Sequence, residues 1–372
     1  MVLNNPFEKL PAELTTMVLG LLESNDIQSL INADPHILRV FLQHELVILR
    51  PLRREISHQF PCENLTQAVI ACRLRQIEST PLARDRARYQ EVVKPILTQS
   101  PDEISVAKLK LGAISDLQRL FREAEVFTSA YAKEAWEMTQ DAVADYNMEP
   151  RTESVRRPLS LSGGEKEEMQ MAYLLFDSYR HTLWFSTSFL QDYYCPKKPA
   201  SFYYIPWGFT EGNKLIHVRT FHAVLRFLLR EYRRLLYQVD DMIACESSNI
   251  TSRLQTREFL HRPSRDNIQF PAYLCSQGYR PLLESQEANN VTESVISLYT
   301  QYSQLKRNRQ TCPLVVVADL KDSVEALFAG SQTERDFWTS GAFMFNFERL
   351  IQLDRDWWMD MFIFEEDAMY GV

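Results

Sequence analysis

The chain has 372 residues, 45% hydrophobic and 24% charged, with a formal net charge of −8. That is the composition of a globular protein of one large or two ordinary domains, and its acidity excludes a broad electrostatic nucleic-acid footprint. Six cysteines (62, 72, 195, 245, 275 and 312) without a C-x-x-C pair exclude a disulfide framework or zinc knuckle and suggest reduced thiols in a cytosolic or nuclear setting.

Ten glycines in the whole chain suit long helices better than a β-sandwich, so the expected fold class is all-α. The apolar runs are too short to cross a bilayer, and MVLNNPFEKLPAEL lacks the basic start and apolar core of a secretory signal. The sequons at Asn64, Asn249 and Asn290 are accordingly expected to stay unmodified.

The opening stretch, residues 7–49, carries three short amphipathic segments. Pro11 suits a first helical turn, because that position has no partner for an N–H. Leu14, Met17, Val18, Leu21 and Leu22 then recur as one helical stripe. Asn25 with Gln28 three residues on reads as a capping box for a second helix bearing Ile27, Leu30 and Ile31. Asp34-Pro35 reads as a cap and first-turn proline for a third helix, with Ile37, Leu38, Phe41, Leu42 and Leu46 expected inward. Units under about 40 residues seldom enclose that much apolar surface alone. Part of it is expected to be covered, by the rest of this chain or by a second protein.

Leu10-Pro11-x-Glu13-Leu14, followed by Val18, Leu22, Asp26-Ile27 and Leu30, resembles the opening of an F-box, and this version is similar to divergent F-box-like modules of filamentous fungi. The family often has a Val-Cys and a Trp later in the module, where this chain has Ala33-Asp34-Pro35-His36 and Val40-Phe41. The resemblance implies a substrate receptor of an SCF-type ubiquitin ligase. It would dock a Skp-family adaptor, and through it a cullin-RING ligase, using Leu10, Pro11, Leu14, Met17, Val18, Leu22 and Leu30. It also implies two parts, an adaptor-binding module over 1–50 and a helical domain over 51–372 that selects an unknown protein substrate. The alternative is a self-contained helical interaction scaffold, in which the same leucines pack against residues beyond 50 and no adaptor binds.

Arg50-Pro51 is expected to break or bend the third helix, and Arg50, Arg53 and Arg54 to form a solvated basic face. Asn64 is expected to start a helix with Leu65, Val69, Cys72 and Ile77 on one side. A charged stretch, 84–88, leads to Tyr89, Val92, Val93, Ile96 and Leu97. A long helical pattern follows from Pro101 to about Asn147, with Gly112 as a candidate division point; such length suggests a bundle or helical array. No repeat at periods of about 20 to 50 residues is visible. Residues 149–161 are the best linker candidate, with Ser154 and Ser160 beside Arg156 and Arg157.

Another helix is expected from Glu165 to about Asp192, its aromatics (Tyr173, Phe176, Tyr179, Trp184, Phe185 and Phe189) inward. Residues 193–214 read as an aromatic loop pinned to the core. Leu215 to Cys245 reads as a basic helix whose arginines pair with acidic neighbours. Shorter helices follow to about 310, with breaks at Pro263, Pro271 and Pro281. Pro313 to Gly330 fits a helix, and the aromatic tail from Phe343 is expected to dock back on the core, so that deleting 354–372 makes the protein insoluble.

No catalytic constellation is visible. Leu161-Ser162-Gly163-Gly164-Glu165-Lys166 mimics the signature loop of ABC-type ATPases, but no phosphate-cradling G-x-x-x-x-G-K-[ST] accompanies it. Ser162 with Glu165 is explained instead as a capping box. The seven histidines show no H-E-x-x-H, and His217 and His222 fall on different helix faces. No G-x-S-x-G elbow exists. The expectation is a non-enzyme that needs no cofactor or metal and uses neither nucleic acid nor a membrane.

Overall fold

A computed structural model describes residues 6–78, 91–93, 95–96, 104–146, 158–183, 214–245, 269–307, 344–345 and 349. Those residues are 87% helical, and no strand occurs among them, so the protein is all-α. The helices are α1 (Ala12–Leu19), α2 (Ser24–Ala33), α3 (Pro35–Ile48), α4 (Arg50–Gln59) and α5 (Cys62–Glu78). They are followed by α6 (Leu111–Tyr146), α7 (Gly163–Leu183), α8 (Lys214–Cys245), α9 (Gln269–Gln277), α10 (Arg280–Glu287) and α11 (Val291–Arg307). Short 3-10 turns, Pro6–Lys9 and Val106–Lys108, precede α1 and α6.

Local signals set several boundaries. The Asp34 carboxylate accepts the His36 backbone N–H at 2.8 Å, with Pro35 in the first turn of α3, as the sequence suggests. Pro51 opens α4 directly after Leu49. The Ser162–Glu165 box forms reciprocally: Ser162 N–H donates to Glu165 Oε2 at 2.8 Å, and Glu165 N–H donates to Ser162 Oγ at 3.3 Å. That bonding accounts for the ATPase-like string at the start of α7.

Other boundaries differ from expectation. The Asn25–Gln28 box does not form: α2 starts at Ser24 after Glu23, with no side-chain cap. Ser24 Oγ instead donates to Gln118 Oε1 at 2.6 Å, and Asn25 Oδ1 accepts from Ser115 Oγ at 2.8 Å. The long helix claims the polar groups that would have capped α2. Gly112 divides nothing, since it is the second residue of α6, a rod about 54 Å long at 1.5 Å per residue. Asn64 lies inside α5 rather than at its start; it is buried, and its amide donates to the Glu167 carbonyl and to Gln170 Oε1. Pro271 sits in the first turn of α9 and does not break it. Arg53 is not solvated: it is buried and gives two hydrogen bonds to the Leu109 carbonyl, at 3.1 and 2.7 Å.

α5 is buried on several sides. It packs on α7 and α6 and buries Leu65, Ala68, Val69, Ile70, Ala71, Cys72, Leu74 and Ile77, residues that surround its axis rather than line one side. Val93, with Val92 and Ile96, joins the smaller cluster on Ile70, Leu74 and Ile77. Around Phe127 of α6 the rings of Tyr131, Tyr173, Phe227 and Tyr279 gather with centroids 4.9 to 5.4 Å away, fastening α6, α7 and α8 together. α8 packs on α7, α9 and α11. Two of its arginines find acidic partners: Arg230 and Arg234 both bond Glu134 of α6, and Arg234 also bonds Glu231 of α8 itself.

The opening helices share the main core. Leu19, Ile27, Ile37, Phe41 and Ile48 belong to the same buried cluster as Leu117, Leu120 and Phe127. Leu159 and Leu161, inside the linker candidate, also pack against it. Its other described residues are 158 and 160, while 149–157 lie outside the described residues, as do Tyr89 and Leu97, Trp184, Phe185 and Phe189, Pro263, the stretches 193–213 and 313–330, and 354–372.

Candidate functional site: the outer face of the opening helices

α1 is eight residues long and packs on α3. Pro11 stands just before it with extended backbone, and the Thr15 and Thr16 hydroxyls bond back to the carbonyls of Pro11 and Ala12 at 3.3 and 2.8 Å. The buried residues of α1 are Thr15 and Leu19. Four of the five residues in the stripe that periodicity picks out therefore point outward, Leu22 excepted. Leu14 and Val18 are exposed, Met17 is 65% exposed, and Leu21, just past the helix end, is 86% exposed.

α3 repeats this arrangement. Ile37, Val40, Phe41 and Ile48 are buried, whereas Leu38, Leu42, Leu46 and Val47 are exposed, Leu46 at 73%. The expectation that Leu38, Leu42 and Leu46 face inward is corrected. α3 carries two apolar stripes, and α1 and α2 together with the main core occupy only one of them. The helix is also bent, with non-helical backbone at His44 (φ −121°, ψ 19°) between Leu42 and Leu46.

Of the eleven large hydrophobic residues exposed among the described residues, eight are Leu14, Met17, Val18, Leu21, Leu38, Leu42, Leu46 and Val47. Single exposed apolar residues are ordinary, but a set of them concentrated on two neighbouring helices is the pattern of a docking surface. Among the seven residues marked by the sequence, Leu14, Met17 and Val18 lie on this outer face. Pro11 is exposed beside them and Leu10 is half-buried. Leu22 and Leu30 are half-buried against the core and face the other way. Leu38, Leu42, Leu46 and Val47 are exposed on the neighbouring α3; the first three show in the sequence as apolar, but their direction does not.

A polar seam holds the opening helices in place. Besides Ser24–Gln118 and Asn25–Ser115, Arg122 pairs with Glu23 at 3.2 Å and Lys110 with Glu45 at 3.0 Å. Gln118 also donates to Glu55 at 3.1 Å. α2, α3 and α4 are thus fixed on the start of the long rod, and α1 stands away from that junction.

The body's main charged cluster lies elsewhere. Arg75 of α5 bonds Asp177 at 2.7 Å and Glu123 at 2.8 Å; Tyr173 donates to Glu123 at 3.0 Å, and Arg180 donates to Asp177 at 3.0 Å. Burial pulls the Arg75 guanidinium toward neutrality, but the carboxylates of Asp177 and Glu123 outweigh it and hold it firmly charged. Burial pushes the Tyr173 phenol well above its usual range, and Glu123 adds to that. Two cations face two carboxylates at closely matched distances, which is the arrangement of a structural tie between helices. Among the described residues no group of three His, Cys, Asp or Glu side chains is placed to hold a metal, and no helix is long and apolar enough to cross a membrane. No known protein family, curated protein or solved structure matches this chain.

Proposed function

We propose that the chain is an F-box-like substrate receptor. The outer face of its opening helices docks a Skp-family adaptor, and its helical body presents a target protein to the ubiquitin ligase so assembled. Chemistry then belongs to the partners, in keeping with a body whose charged cluster is occupied in tying helices together. The observation that carries this reading is the outward direction of Leu14, Met17, Val18 and Leu21 on a helix that turns Thr15 and Leu19 inward. An amphipathic helix that shows its apolar side to solvent is completed by a second molecule.

The self-contained scaffold remains the second reading, favoured by the core that continues across residue 50 and by the half-burial of Leu22 and Leu30. It leaves the outer stripe unexplained. Co-purification with a Skp-family adaptor separates the two. The full chain is expected to retain the adaptor. Met17→Glu is expected to reduce recovery at least about tenfold, the equivalent of about 1.4 kcal/mol, with no change in melting temperature because the Met17 side chain is 65% exposed. Leu10→Ala/Pro11→Ala should weaken recovery in the same direction. Equal recovery of wild type and the Glu variant, or of neither, would overturn the receptor reading.

A further inference from the structure

α3 and α4 sort their charges by side. The two helices contain two carboxylates, and both are engaged: Glu45 with Lys110 at 3.0 Å, and Glu55 with the side-chain amides of Gln118 at 3.1 Å and Gln59 at 2.8 Å. Of their four arginines, Arg53 is buried against the Leu109 carbonyl. The other three, Arg39, Arg50 and Arg54, are exposed, and no carboxylate among the described residues pairs with them. The chain as a whole carries −8, so this is positive charge left open on an acidic protein.

Past the bend at His44 the backbone stays helical through the junction of α3 and α4. Leu49 has φ −81° and ψ −7°; its N–H donates to the Glu45 carbonyl at 2.9 Å, and the Arg53 N–H donates to the Leu49 carbonyl at 2.9 Å. Leu46, Val47, Arg50 and Arg54 therefore fall within about 100° of one another around the axis. All four are exposed, Leu46 at 73% and Val47 at 62%. The other side of the same run carries Ile48, Leu49, Leu52, Arg53 and Ile56, all buried. The outer side thus joins apolar area to permanent positive charge, with no acid of its own to balance it.

That chemistry selects what completes it. A second copy paired about a two-fold axis sets Arg50 and Arg54 against their own equivalents, which repels. An anionic membrane is held by clusters of about four to eight basic residues, more than stand here, and the remaining charge of the chain opposes it. A helix whose apolar stripe is edged by carboxylates fits on both counts. Its leucines cover Leu46 and Val47, and acids four positions apart meet arginines at the same spacing.

We propose that this outer side of α3 and α4 binds an amphipathic helix of a partner protein whose apolar stripe is edged by aspartate or glutamate. It lies on other helices than the α1 stripe, and the proposal stands whether or not an adaptor binds there.

The test uses the full-length protein and two fluorescently labelled peptides of about 20 residues, long enough to hold a helix. They share one leucine stripe, edged in one by glutamate and in the other by lysine. Anisotropy should report saturable binding of the glutamate peptide, at least about tenfold tighter than of the lysine peptide, and weakening as salt rises. Leu46→Asp and the pair Arg50→Gln/Arg54→Gln should each weaken it at least about threefold. Met17→Glu should leave it unchanged, which separates this site from the adaptor reading. If Leu46→Asp lowers the melting temperature, the arginine pair decides, since it alters only exposed charge. No saturable binding, equal binding of the two peptides, or binding that survives the arginine pair would each overturn the proposal. So would self-association, or sedimentation with phosphatidylserine–phosphatidylcholine vesicles, that the same variants abolish, because either assigns this side to a different occupant.

Discussion

Gly278 shows how much one residue decides. It joins α9 to α10 with φ +87°, a region where L side chains are strained. A Cβ there would lie 2.8 Å from Arg180 Nε and 3.2 Å from Arg180 Cδ. Arg180 cannot simply step aside, because its guanidinium is spent on Asp177. The Gly278 carbonyl in turn accepts the hydroxyl of the fully buried Tyr232 at 2.6 Å. Gly278→Ala is therefore expected to destabilise the protein by about 1–3 kcal/mol in chemical denaturation. Gly112→Ala, where a Cβ meets nothing within 4 Å, should be neutral or stabilising by up to about 1 kcal/mol. Similar losses at both positions would contradict this account. In the sequence, Gly112 is the more conspicuous of the two because it interrupts an apolar run. The reason Gly278 matters is an arginine 98 positions away, and no local pattern carries that.

Among the elements, α5 depends most on a single polar contact. Arg75 reaches from it to Glu123 on α6 and Asp177 on α7, and both carboxylates are buried. Arg75→Met keeps the length of the side chain but leaves Glu123 without that cation and Asp177 with only Arg180. The expected loss is about 3–5 kcal/mol, as for removing one partner of a buried ion pair. Loss of less than about 1 kcal/mol would mean that the tie is not structural. The existence of α5 is legible from Leu65, Val69, Cys72 and Ile77; its burial on several sides is not, because Ala68, Ile70, Ala71 and Leu74 fill the remaining sides and blur the stripe. α1 shows the opposite limit. Its stripe is legible in full, yet periodicity gives a face and not a direction. Only the packing of Thr15 and Leu19 on the inner side shows that Leu14, Met17, Val18 and Leu21 face outward. The two capping motifs make the same point: Ser162 and Glu165 meet although Arg349 also bonds Glu165, whereas Asn25 is taken by Ser115.

At the scale of the molecule, the core runs without a break from Leu19 of α1 to Phe345, so the described helices should melt in one cooperative transition. That core holds several groups that must keep a proton. Burial pushes the thiols of Cys72 and Cys275 well above their ordinary value of 9.0. It also raises the phenols of Tyr131, Tyr173, Tyr232 and Tyr279 above 10.0. These groups are neutral when protonated, and their folded-state values exceed the unfolded ones. Between the two values the unfolded chain has lost protons that the folded chain retains, so rising pH favours unfolding. Their contribution to stability is complete below the unfolded values and is lost above them. The melting temperature, measured with reductant present, is thus expected to be nearly flat from pH 7 to about 8.5 and to fall steadily between about pH 9 and 11, each titrating group adding at most about 1.4 kcal/mol per pH unit. Phenolate absorbance from the buried tyrosines should appear together with the loss of helical circular dichroism and not before it. Phenolate signal from all tyrosines while the helices persist would mean that this ring cluster is open to water, and a melting temperature unchanged to pH 11 would mean that these protons are not held by the fold.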